Sequence, residues 1–136
     1  MKQYLKAIGI VASALAGGGQ AAWAHHSTSM FDHAKTVTVH GIVTEVRWVN
    51  PHVTLWIKGG LKEGDDAVWG FETTSPGNLV RRGWSRTSIK PGDKVTIEMS
   101  PMRDSDSRGG ALKKVTIDAT GVSFQSNIRD EAPGGQ

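Results

Sequence analysis

Apolar residues recur at every second position over short runs through the middle of the chain, which is the period of half-buried β-strands. The clearest run is His52 to Lys58, where Val53, Leu55 and Ile57 point one way and His52, Thr54, Trp56 and Lys58 the other. Ala67 to Thr73 repeats the alternation through Ala67, Trp69 and Phe71, and Lys94 to Met99 through Val95, Ile97 and Met99. A longer run, Thr36 to Val49, changes parity partway: Val37 and Val39 are odd, whereas Ile42, Val46 and Trp48 are even. Gly41 stands at the switch, where a β-bulge or sharp bend is expected. Ala111 to Asp118 supplies a fifth strand. A single helix interrupts the series, with Ser75 suited to cap it, Pro76 to its first position and Gly83 to the position that ends it.

Turn residues separate these runs: Asn50-Pro51, Gly59-Gly60 and Pro91-Gly92-Asp93. Five strands, a bent first strand and a short helix between strands three and four predict an all-β fold, a small OB-like barrel. A small open β-sandwich is the other architecture that fits the count. The barrel domain is expected over residues 25–122, and residues 123–136, which lack a pattern and end in Pro and Gly, as a disordered tail.

The N-terminus has a different organisation. Lys2 and Lys6 precede a short apolar run, Ile8 to Ala16, and Ala22-Trp23-Ala24 follows the small-x-small rule of an export cleavage site. The run is shorter than the ~20 residues of a membrane span, and Gly17-Gly18-Gly19 opposes a helix continuing toward the domain. A signal peptide over residues 1–24, cleaved after Ala24, is therefore expected. With no Cys to carry a lipid, the product should be free in the periplasm.

Cleavage changes the charge argument. The whole chain has 16 Lys and Arg against 13 Asp and Glu. Losing Lys2 and Lys6 leaves 14 against 13, a net of +1. A nucleic-acid-binding surface wants a strong positive field, and this chain would have none. The absence of Cys also excludes thiolate metal sites and Cys catalysis. Neither a nucleophile elbow nor a phosphate loop is present, so an enzyme is not expected.

Cleavage would also expose chemistry. His25-His26 would begin the mature protein, with its α-amine beside two imidazoles. An α-amine titrates near 7.7–8.0, so a metal can displace its proton at neutral pH. The amine with the His25 ring, or the amine with the His26 amide and ring, forms a chelate that suits Cu(II) in a tetragonal nitrogen field. His52 is the best further ligand. It follows Asn50-Pro51 at the entry to a strand and shares its side with Trp56. Asn50 and Trp56 extend that side as a ligand-binding face, although Asn50 and His52 would equally satisfy backbone groups at a tight corner. His33, Asp32 and His40 carry less weight. Among the tryptophans, Trp69 and Trp84 are assigned to the core. Arg81, Arg82 and Arg86 sit near a helix C-terminus, where positive charge is favourable without a ligand. The acids Asp104 and Asp106 lack the spacing of a calcium loop.

The segments His25-His26-Ser27, Phe31-Asp32, Gly41 to Val46, Trp48-Val49-Asn50-Pro51-His52, Arg81-Arg82-Gly83-Trp84 and Lys90-Pro91-Gly92-Asp93 together resemble the DUF6152 family of small exported bacterial proteins. The likeness runs from His25 to about Thr120. It implies export and one compact β domain, and the family's members carry the His-His-Ser start and the Asn-Pro-His element together. It brings no established activity.

These readings converge on a periplasmic, copper-type metal-binding β-barrel with His25, His26 and His52 as ligands and Cu(II) as cofactor. The alternative is a metal-free module that binds a small solute or another exported protein through the face around His52 and Trp56.

Overall fold

The computed structural model describes residues 30–126. They form β1 (Val37–Arg47), β2 (Thr54–Gly60), β3 (Ala67–Glu72), a six-residue helix α1 (Pro76–Arg81), β4 (Lys94–Pro101), β5 (Gly109–Ile117) and β6 (Ser123–Gln125). β1 pairs antiparallel with both β2 and β4, β2 with β3, and β4 with β5. A short parallel pairing of β3 with β5 closes the ring. The result is a five-stranded closed barrel with the helix between β3 and β4, the arrangement that the alternation predicts.

Period-two patterning accounts for the interior. Leu55, Ile57, Phe71, Val95, Ile97 and Met99 are all at most 2% exposed, and each is an inward position of the sequence reading. Leu79 of α1 joins the barrel core and is fully buried. The helix is short because both ends are fixed by capping. Ser75 Oγ accepts from the Asn78 N–H at 3.3 Å. At the other end Trp84 N–H reaches Leu79 O and Gly83 N–H reaches Val80 O, each at 3.0 Å. That paired C-terminal cap needs a left-handed residue after the helix, and Gly83 supplies it with φ +88°.

Two expectations about the strands are corrected. The parity break of the first strand is not at Gly41. The register of β1 on β2 shifts between Val43 and Glu45, so the bulge falls at Thr44. Val43 is buried, while Ile42 is 51% exposed and is an apolar residue on the outward side. Gly41 serves a different need: a Cβ there would lie 2.5 Å from Lys58 O, so this residue admits a close approach of two backbones. The second correction concerns the tail, whose first residues, 123–126, are ordered. Ser123–Gln125 pair with Lys114–Thr116 of β5, continuing the edge that β3 occupies at residues 109–111. Phe124 meets the Trp84 ring at 5.2 Å between centroids, and Trp84 Nε1–H donates to Gln125 O at 2.8 Å.

A strap ahead of β1 covers the barrel's closure. Phe31 bridges Met102 in antiparallel fashion and, at 2% exposure, packs with Ala111 of β5. Asp32 N–H donates to Pro101 O and Arg103 N–H to Met30 O, both at 2.8 Å. This second small cluster lies outside the barrel core, where β3 and β5 meet.

Candidate functional site

The side-chain chemistry gathers on the outer face of β2 and β3. Their register sets Thr54 opposite Glu72 and Trp56 opposite Gly70, so the even-numbered residues of both strands share one surface. Gly70 makes room for the tryptophan: a Cβ there would lie 3.0 Å from Trp56 Nε1. On the indole rests the guanidinium of Arg47, 5.0 Å from the ring centroid. Thr54, Trp56, Gly70 and Glu72 border a shallow groove of about 260 Å³, which runs beside Met30, Phe31 and Met102.

His52 sits at one end of this face, just before β2. Val53, its neighbour, is tied to β3's continuation by bonds with Thr73 and Thr74. The ring is fixed at both nitrogens. Nδ1 is 2.9 Å from Thr73 O, and a carbonyl can only accept, so Nδ1 carries the proton. Nε2 then faces Glu72 Oε1 at 3.6 Å. A charged ring meets the carboxylate as an ion pair. A neutral ring presents a lone pair instead, and a lone pair beside a carboxylate favours a cation shared between them. An imidazole whose other N–H is held by a backbone carbonyl is the usual state of a metal-ligating histidine.

The other sequence-predicted residues are distributed as follows. His25 and His26 lie outside the described residues. Asn50 is exposed at the cis Asn50–Pro51 corner and does not border the groove. His40 Nδ1 lies 3.1 Å from Thr96 Oγ1, whose hydroxyl donates to Asp118 Oδ1, so that ring donates into a strand-surface network. His33 Nδ1 lies 3.2 Å from Ser100 Oγ at the edge of a larger cleft of about 430 Å³. The charges of that cleft are engaged with their surroundings: Lys114 pairs with Glu98, and Lys113 Nζ donates to Lys35 O and Thr36 Oγ1. Trp84 is 5% exposed, and Trp48 and Trp69 are partly buried against the core.

Among the described residues, no three His, Cys, Asp or Glu side chains converge as a metal site. The barrel wall alone offers the His52–Glu72 pair. Glu72 was not among the sequence candidates, although its outward parity in the third strand, combined with antiparallel pairing to the second, places it beside Thr54. Met30 and Met102 were missed for a different reason, since nothing in the alternation signals the strap that brings them together.

A family model described as a family of unknown function, DUF6152, matches residues 12–111. No curated protein and no solved structure matches the chain.

Proposed function

The chain belongs to the DUF6152 family, and we propose that it is an exported, periplasmic protein that binds copper-type metal. The ligands are the α-amine and rings of His25 and His26, exposed by cleavage after Ala24, together with His52. Glu72 lies beside the His52 nitrogen and balances the charge of the ion. The role is to carry, buffer or sense the metal rather than to catalyse a reaction.

One observation supports this reading above the others. His52 has its Nδ1–H committed to Thr73 O and its Nε2 directed at a carboxylate. A corner histidine that only satisfied backbone groups would need the first contact and not the second. Chain length supports it too. Met30 borders the same groove as Glu72. Only four residues lie between it and His25, and the five steps reach about 17 Å when extended. The amine thus has a short tether to this face.

The test is a Cu(II) titration of the protein that begins at His25, beside the same protein with its α-amine acetylated. The unmodified protein binds one Cu(II), and acetylation weakens binding at least ~10-fold, because the blocked nitrogen can no longer coordinate. Equal affinities would show that the amine is not a ligand.

Trp56, which borders the groove and carries the Arg47 guanidinium on its ring, favours a second reading, a metal-free module for a small solute or an exported partner protein. Such binding would change tryptophan fluorescence and survive a chelator. A response abolished by EDTA counts against it.

A further inference from the structure

The groove holds two methionines that the nitrogen ligands leave unused. The chain has four. Met1 is the chain start and Met99 is 1% exposed in the barrel core. The other two, Met30 and Met102, border the same groove on the β2–β3 face. They come from positions 72 residues apart, and the backbone bonds of the strap hold them together: Arg103 N–H to Met30 O, Asp32 N–H to Pro101 O, and the Phe31–Met102 bridge. Phe31 is the buried anchor of that strap, whereas Met30 remains 42% exposed. Packing explains Phe31 and the Met102 side chain that rests against its cluster, and leaves the exposed Met30 unexplained.

The rest of the groove suits a cation. Trp56 borders the groove, and the Arg47 guanidinium 5.0 Å from its centroid shows that the ring attracts positive charge. Glu72 supplies a carboxylate at the groove's border. Thr54 also lines the groove, and its Oγ1 is buried with no hydrogen-bond partner among the described residues. Thioether sulfur is neutral, polarisable and a poor match for hard divalent ions. It is a ligand for soft ions, of which Cu(I) is the biological example.

We propose that Met30 and Met102 form a site for a soft monovalent cation, Cu(I) in the cell, held by the two sulfurs against the Trp56 ring. The identity of the cargo rests on the copper reading given above; the site itself rests on the groove. One face then serves copper in two oxidation states, nitrogen donors for Cu(II) and sulfur donors for Cu(I). No electron transfer is asked of the protein, because each ion is bound in the state in which it arrives.

Ag(I), which matches Cu(I) in charge and softness and does not change oxidation state in air, is the probe. Titrating the protein with Ag(I) should give one bound ion in the native mass spectrum and quenched tryptophan fluorescence. Met30→Leu and Met102→Leu should each weaken binding at least ~10-fold, and the double variant should lose the quenching. Leucine nearly conserves volume, so both variants should keep the unfolding midpoint of the parent. Ag(I) binding that is absent from the parent, or unchanged in the double variant, overturns the proposal. Cu(II) titrated into the same samples separates the two readings. If Cu(II) binds while Ag(I) ignores the methionines, only the thioether site is wrong; if neither ion binds, the copper reading fails with it.

Discussion

Strands β2 and β3 build two surfaces from alternate residues of the same segments, and the two obey different rules. On the inner surface Leu55, Ile57 and Phe71 are at most 2% exposed, and their identities follow from the need to fill a closed barrel. On the outer surface Thr54, Trp56 and Glu72 share a groove with Met30 of the strap and Met102, which the strap bridges just after β4. Burial dictates the first set. It does not dictate a carboxylate aimed at a histidine nitrogen, an indole laid over a glycine, or an exposed thioether. Residues that packing leaves undetermined, yet whose polar atoms converge, are the candidates for function.

The comparison breaks most visibly at Phe71. Phe71→Ala should cost about 3–5 kcal/mol in urea or guanidinium unfolding, because a large inward side chain is lost from a packed core. A cost below about 1 kcal/mol would show that the inner surface is not the source of stability. Glu72→Gln, one residue away and on the other surface, should do the reverse. It should change unfolding free energy by no more than about 0.5 kcal/mol. Its Cu(II) affinity, read by competition against a chelator, should fall about 10-fold, as when a group that orients or balances a metal ligand is removed. Equal Cu(II) affinity in both proteins would remove Glu72 from the site.

A smaller effect sharpens the contrast with ordinary surface charge. Lys94 Nζ donates to Glu63 Oε1 at 2.9 Å, and that bond holds the Glu63 carboxyl below its usual range and the Lys94 ammonium above its own. Both side chains are exposed. The lowered carboxyl favours the fold above the ordinary glutamate range, a contribution lost as pH falls through the lowered folded value. The raised ammonium favours it below the ordinary lysine range and loses that effect as pH rises through the raised folded value. Glu63→Gln should therefore lower the thermal midpoint slightly near neutrality and not at all in strong acid, with Cu(II) affinity unchanged throughout. A midpoint difference that persisted in strong acid would show that the ion pair is not its cause.

Most of the barrel is legible in the chain because alternation is a direct consequence of burying one face. Strands two, three and four, the capped helix and its closing Gly83 follow from that rule and from capping chemistry. The bulge was displaced from Thr44 to Gly41 because parity assumes that apolar means inward, and Ile42 is an outward apolar residue. β6 escaped notice because three residues carry almost no period; what fixes Ser123–Gln125 is Phe124 on Trp84 and the Trp84 indole bond to Gln125 O, both long-range. The outer face divides in the same way. His52 and Trp56 were visible from parity within one strand, and Glu72 needed the register between two. Met30 and Met102 needed the strap, whose backbone bonds join distant positions and leave no local signature.

The central claim is that His52 supplies a nitrogen to the copper that the N-terminal histidines capture. Electron paramagnetic resonance of the protein that begins at His25, loaded with one equivalent of Cu(II), reads the number of coordinated nitrogens through their hyperfine splitting. Compared with the parent, His52→Ala should lose one nitrogen from that pattern and bind Cu(II) at least ~10-fold more weakly. Spectra and affinities that are the same in the two proteins would contradict the account.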